Sequence, residues 1–332
     1  MTTILVTGGA GYVGSVSVEA ILGAGHRVVV LDDLTTGHRS AVPDRATLVV
    51  GSYGDGALVT RLVQEHGIEA ILHCAARSLV GESIAAPARY YSDNVAGGVS
   101  LLEAARTAGV ERIVFSSTAA VYGEPEATPI PEDAPLRPIN PYGETKRTFE
   151  GALRWYGQAY GLRSVSLRYF NVAGATAALG EAHDPETHLI PNVLKAVERG
   201  TSMTLFGDDY PTPDGTCIRD YIHVADLASA HLLAIEATAP GDPRLPEAAL
   251  VCNLGIGGGF SNRQVIETAS AVTGRAIPVD IGPRRPGDPP VLVAAVERAR
   301  TVLGWQPEHP SLEAMIGSAW AWRQAHRGGY PD

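Results

Sequence analysis

Residues 3–32 read TILVTGGAGYVGSVSVEAILGAGHRVVVLD. Thr3 to Thr7 is a short apolar, β-branched run, the mark of a buried strand. Gly8, Gly9, Gly11 and Gly14 follow at once, and Tyr12 to Leu22 carries apolar residues at helical spacing. Strand, glycine turn and helix in that order are the context in which a glycine motif predicts a dinucleotide site. Gly8 allows the tight turn, Gly11 lets backbone approach a pyrophosphate, and Gly14 lets helix pack on strand. The phosphates then meet unpaired N–H groups and the positive end of the helix dipole. A second strand, Arg27 to Leu31, ends in Asp32, 18 residues after Gly14 and near the spacing at which a carboxylate holds a ribose diol. A carboxylate there favours NAD over a 2′-phosphorylated cofactor. The alternative is an ordinary α/β turn with no ligand.

The alternation continues beyond this unit. Strands are expected at 48–50, 70–73, 112–116 and 164–168, and helices at 57–66, 88–108 and from about Tyr142 to Tyr160. Repeated β-α units with short connections predict a doubly wound parallel sheet, with ligands at the carboxyl ends of its strands. After about Tyr169 proline, glycine and aspartate thicken in 180–187, 207–216, 240–246 and 282–290. Strand 203–206 and helices 225–236, 262–273 and 312–324 are separated there by long loops, which in compact chains are functional or disordered. The expected organisation is a Rossmann domain over 1–170, with later segments returning to it, and a smaller, loop-rich substrate domain over 171–332.

The net charge of −10 and the scattered basic residues argue against nucleic acid and anionic membrane as partners. No run approaches the roughly 20 apolar residues of a membrane span. The chain enters a core strand at its start, which leaves no room for a signal peptide and predicts a cytoplasmic protein. The three cysteines, Cys74, Cys217 and Cys252, are unpatterned, so reduced thiols and no metal site are expected.

Chemistry is expected just after strand 112–116. Ser117 and Thr118 place hydroxyls there, and Asn140-Pro141-Tyr142-Gly143-Glu144-Thr145-Lys146 opens a helix with proline in its first turn. Tyr142 and Lys146 are four apart, hence neighbours on one face. An ammonium beside a phenol stabilises phenolate and lowers a reference pKa of about 10. Such a phenol can take a proton from a sugar or alcohol hydroxyl while hydride leaves to a nicotinamide, and Thr118 can hold the same oxygen. Taken alone, tyrosine and lysine at this spacing also describe an ordinary helix surface.

With these residues in place, the chain resembles the extended short-chain dehydrogenase/reductases, and within them the UDP-galactose 4-epimerases, over essentially its whole length. The landmarks are TGGAGYVG at 7–14, LDDLTTGHRS at 31–40, VGES at 80–83, NVAGG at 94–98, SSTAAVYG at 116–123, NPYGETK at 140–146, RYFNVAGA at 168–175, FGDDYPTPDGTCIRDYIHVADLA at 206–228 and RRPGD at 284–288. The resemblance implies catalytic positions at Thr118, Tyr142 and Lys146. It implies cofactor positions at Gly8, Gly11, Tyr12, Val13, Gly14, Asp32, Asp33, Asn94 and Tyr169, with Tyr142 and Lys146, and UDP-sugar positions at Thr118, Asn171, Arg219, Arg285, Asp288 and Leu292. Arginine suits a diphosphate because its fork donates bidentately; as a surface pair, Arg219 has Asp220 as an obvious partner.

The implied reaction interconverts UDP-galactose and UDP-glucose through a 4-keto sugar and enzyme-held NAD, in a homodimer whose helices 88–108 and 142–160 form a four-helix bundle with their mates. The chain departs from the family pattern at Ser52-Tyr53, at Arg77-Ser78, and at Leu292, where a tyrosine often walls the sugar pocket. Nucleotide-sugar 4,6-dehydratases have Asp-Glu after the catalytic threonine, where this chain has Ala119-Ala120. Epimerases of N-acetylhexosamine, pentose or uronate sugars remain alternatives, as does a sensor that holds NAD without turnover.

Overall fold

The computed structural model describes residues 1–285 and 288–331. In chain order its first half contains β1 (Thr3–Thr7), α1 (Tyr12–Gly23), β2 (Arg27–Asp32), β3 (Thr47–Val50), α2 (Gly56–His66), β4 (Ala70–His73), α3 (Val80–Ala85), α4 (Pro87–Tyr90), α5 (Gly98–Thr107), β5 (Arg112–Thr118), α6 (Pro141–Tyr160) and β6 (Arg163–Tyr169). The second half adds β7 (Asn171–Ala173), α7 (Leu189–Arg199), β8 (Met203–Phe206), β9 (Ile218–Arg219), β10 (Tyr221–His223), α8 (Val224–Ala237), β11 (Ala249–Leu254), β12 (Phe260–Ser261), α9 (Asn262–Thr273), β13 (Val279–Gly282), β14 (Val291–Leu292) and α10 (Leu312–Ala325). No helix among the described residues is long and apolar enough to cross a membrane.

Among the described residues one seven-stranded parallel sheet runs β11-β6-β5-β4-β1-β2-β3. Its strands are apolar on successive residues because both faces are covered. Within β1, Ile4 and Val6 join a core formed with α1 and α8, and Leu5 joins the opposite core with α2, α5 and α6. The strand order reverses between β1 and β4, which opens a crevice at the carboxyl ends of the strands. A separate core packs α7, α9 and α10 together.

The sheet is the one expected, with four differences. Strand β5 runs on to Thr118, so Ser117 and Thr118 are its last residues and do not follow it. The helix expected over 88–108 is α4 and α5 joined by a wider π-helical turn at Tyr91–Gly97. Strand β11, 80 residues after β6, supplies the sheet edge; ALVCNL is as apolar as the other strands, but it lies among loops and breaks the β-α rhythm. Helix α7 opens directly from the loop at 180–187, whose proline and acidic residues mask its start.

Two buried anions fix the scaffold around the crevice. Glu150 on α6 accepts from Ser117 Oγ and receives a two-pronged contact from Arg168 on β6, whose other arm donates to Tyr122 Oη at 2.9 Å. Tyr122 in turn donates to Asn253 Oδ1 on β11 at 2.7 Å. These bonds join α6, β5, β6 and β11, and a buried charge is tolerated only when satisfied in this way. Asp220 accepts backbone N–H bonds from Tyr221, Ile256, Gly257 and Ala294. It clamps β10 and the segments leading from β11 and β14, and it is not the partner of Arg219.

Candidate active site

The glycine turn is built for close approach. Gly8 has φ +72°, and a Cβ on Gly14 would lie 2.0 Å from Gly8 O, so only glycine lets α1 sit on the turn. A Cβ on Gly11 would meet only Gly8 O, at 3.4 Å, which leaves the space before the turn open. No side chain caps the start of α1, so its first N–H groups are left for an anionic ligand. Val13 packs into the core, while the Tyr12 hydroxyl donates to Gly174 O at 2.6 Å and ties the turn to the end of β7. At the end of β2 the Asp32 carboxylate is 7% exposed. One oxygen accepts from Ala10 N and the other from Leu34 N, both at 2.9 Å, and each keeps a second lone pair for a diol. Burial raises its pKa, against the two backbone donors. Asp33 is exposed and accepts from Thr35 N. Together these features form a cradle that fits a dinucleotide.

Asn94 is buried beside the segment that leaves β4. Its Oδ1 accepts from Arg77 N, and its Nδ2 donates to Arg77 O and to Thr145 Oγ1 on α6. Two of the departures from the family pattern meet here: Tyr53 Oη donates to Asp93 O at 2.7 Å, and Arg77 pairs with the Asp93 carboxylate.

Helix α6 brings the catalytic candidates together. Asn140 Oδ1 caps it by accepting from Gly143 N at 2.8 Å, and Pro141 occupies its first turn. Gly143 has no side chain because a Cβ would press to 2.5 Å from Ala120 O, so the helix start lies against the segment that follows β5. Tyr142 is thereby brought beside Thr118 at the end of β5. Both are partly exposed and can meet a ligand, whereas Lys146 is 4% exposed. Lys146 Nζ donates to Ser116 O at 2.8 Å and lies 4.7 Å from the Phe115 ring centre and 5.9 Å from that of Tyr142. Tyr169 ends β6, in register with Thr118, and the Ser116 hydroxyl donates to Cys74 Sγ at 3.2 Å.

The electrostatics differ from the expectation that Lys146 lowers the phenol. Burial raises the Tyr142 pKa, with only Thr118 opposing it, and burial pulls Lys146 down to about 8. Desolvation dominates at both groups, and the ammonium is aimed at a carbonyl and at ring faces.

The substrate-side candidates converge through short strands. Strand β7, with Asn171, pairs with β10, and Asn171 N donates to Asp220 O. Leu292 on β14 stands in register with Arg219 on β9. Leu292 packs against an apolar cluster that includes Val121 and Tyr122, next to Ala119. Arg219 pairs with Asp288, and Arg285 lies 4.2 Å from the Phe206 ring centre. Pro286 and Gly287 of the RRPGD motif lie outside the described residues. Sequence reasoning missed the roles of Ser116, Glu150, Arg168 and Asp220, which depend on their positions in the fold; three of them sit inside landmark stretches, but nothing in those stretches marks what they contact.

The model of one family, described as the NAD dependent epimerase/dehydratase family, matches residues 4–250. The chain belongs to that family. A UDP-glucose 4-epimerase of Corynebacterium glutamicum is 50% identical over 323 residues, covering 97% of this chain and 96% of the relative. Among solved epimerase structures, a UDP-glucose 4-epimerase at 45% identity superposes with a TM-score of 0.96 over 100% of both chains. The UDP-glucose 4-epimerase of Brucella ovis in complex with NAD is 44% identical, with a TM-score of 0.92 over 96% of this chain and 98% of the other. The glycine turn and the whole catalytic strand and helix lie within the matched span.

Proposed function

We propose that this chain is an NAD-dependent isomerase that interconverts UDP-galactose and UDP-glucose at C4. The observation that carries the reading is Tyr142 at the start of α6, set beside Thr118 at the end of β5 with buried Lys146 one helical turn on, in a chain similar over its full length to UDP-glucose 4-epimerases. Gly8, Gly11, Tyr12, Val13 and Gly14 would hold the NAD pyrophosphate through backbone, Asp32 and Asp33 the adenosine ribose region, and Asn94, Lys146 and Tyr169 the side nearer the reaction. When bound, NAD supplies the hydride acceptor and donor for sugar C4 and, in its oxidised form, a positive charge beside the phenol.

The chain's own residues handle the proton. Tyr142 Oη takes the O4 proton as C4 is oxidised, with Thr118 holding the same oxygen, and returns it after the 4-keto sugar has turned over. Lys146 positions the phenol and contributes charge to the site. On this reading the segments after 171, apart from α8 and β11 on the sheet, hold the sugar nucleotide. Asn171, Arg219, Arg285 and Asp288 take the UDP moiety, and Leu292 takes the sugar side. Arg219 offers its donors to a diphosphate once its pairing with Asp288 loosens.

The reading extends to a two-fold dimer through α5 and α6. These helices lie side by side, with Tyr156 Oη donating to Glu103 at 2.6 Å. They and the adjoining turn leave Tyr91, Val99, Trp155 and Tyr160 between 37% and 61% exposed, an apolar surface suited to a second copy. The test of function is incubation of purified protein with UDP-galactose, analysis of the product, and acid release of the bound dinucleotide. UDP-glucose and NAD are expected; no product, or NADP as the released nucleotide, defeats the reading.

A further inference from the structure

The loop between β7 and α7 carries a side-chain cluster that the epimerase reaction does not use. In Glu181-Ala182-His183-Asp184-Pro185-Glu186-Thr187-His188, two carboxylates and two imidazoles converge, and one ligand atom from each lies within 4.8 Å of the other three. His183 Nδ1 is 2.9 Å and His188 Nδ1 2.8 Å from the same Glu181 oxygen, and His188 Nδ1 is also 2.9 Å from Glu186 Oε1. We propose that Glu181, His183, Glu186 and His188 form a site for a divalent transition-metal ion of the zinc class, bound through both Nδ1 atoms and one oxygen of each carboxylate.

The geometry is that of a ligand set. Four donors at zinc bond lengths of about 2.0–2.2 Å stand roughly 3.4 Å apart in a tetrahedron, and the separations here bracket that value. The hydrogen-bond accounting leads to the same place. One ring nitrogen carries at most one proton, yet His188 Nδ1 faces two carboxylates at hydrogen-bonding distance. A cation among the donors replaces these crowded contacts with one bond to each ligand.

Burial adds to this. The Glu181 and Glu186 side chains are only 8% and 2% exposed, and buried carboxylates require a compensating positive partner. Glu186 is already oriented as a ligand by the N–H groups of Thr187 and His188, both 2.8 Å from its Oε1. Two imidazoles exclude magnesium and calcium as the preferred ions, which take oxygen ligands.

The site also has something to hold. The His183 ring meets the edge of Tyr12 on the glycine turn, with centres 6.3 Å apart, and His38 Nε2 lies 3.3 Å from Ala182 O. His188 is the N-cap of α7. A metal ion would fasten this loop to the cofactor turn and fix the entry to α7. A search for metal sites based on cysteine spacing misses it, because its signature is Glu-x-His-x-x-Glu-x-His.

The test uses the full chain, stripped with a chelator and then titrated with zinc chloride by calorimetry and with cobalt chloride by visible absorption. One ion per chain is expected, with the intense visible bands of four-coordinate cobalt, a higher Tm, and release by chelator. His183→Ala and His188→Ala should each weaken binding by more than about 100-fold, beyond the loss from removing an outer-shell partner. His66→Ala, on α2, should not. Absence of saturable binding, or unchanged affinity in both cluster variants, overturns the proposal. Should the alanine variants fail to fold, the wild-type cobalt spectrum decides it: six-coordinate, weakly absorbing cobalt contradicts the site.

Discussion

Tyr142 is held where a proton must move, and its environment separates its role from that of a structural tyrosine. Its side chain is partly exposed, beside Thr118 at the end of β5, and one helical turn from buried Lys146. Tyr142→Phe keeps the ring packing and removes the only group proposed to exchange the O4 proton. Steady-state assay of the variant should give kcat lower by roughly a hundred- to ten-thousandfold, with the circular dichroism spectrum unchanged; a loss of less than about tenfold would assign the proton to another group. At this scale the pairing of Tyr142 with Lys146 was legible because four residues make one helical turn. The direction of the phenol's shift was not. It depends on where the ammonium is aimed, and Ser116 O, which receives it, is a backbone atom that no sequence pattern marks.

Between elements, the buried polar links decide how firmly β5 and α6 hold that geometry. Arg168 and Glu150 are 4% and 7% exposed at their side chains, so Glu150→Ala leaves an uncompensated guanidinium and should cost about 3–5 kcal/mol in urea unfolding. A loss under about 1 kcal/mol would mean that water replaces the carboxylate. On α8, His231 joins Ser17 of α1 to Ser116 of β5, and burial holds its pKa down to about 3, as it does for His73. The unfolded chain takes up these protons below its ordinary histidine pKa of about 6.5, so stability is present above that pH and is lost as pH falls toward 3. His231→Gln should flatten the fall by up to about 1.4 kcal/mol per pH unit between roughly pH 6 and 4. Parallel slopes in variant and wild type would show that His231 is protonated in the fold. Elements with local signals were legible: α6 opens at Asn140-Pro141 and ends at Tyr160 as expected. Strand β11 and the clamp at Asp220 were not, since both depend on partners distant in the chain.

For the whole molecule, the doubly wound sheet followed from the alternation of apolar strands and helices, because each strand must be covered on both faces. The arrangement of the loop-rich half did not, since strands of two or three residues such as β7, β9, β10 and β14 carry too few side chains to show a period. The proposed two-fold contact has its own test. Trp155, 61% exposed on α6, should sit in the interface, so Trp155→Glu should shift light scattering from dimer to monomer at micromolar concentration, whereas a monomeric wild type would remove the interface. The central claim, that this chain inverts C4 by oxidation and return of the same hydrogen, is tested most directly by converting UDP-galactose deuterated at sugar C4 in ordinary water and reading the UDP-glucose by mass spectrometry and NMR. The account predicts that deuterium is retained at C4 of the product with no net redox change; loss of the label to solvent, or accumulation of an oxidised sugar, would contradict it.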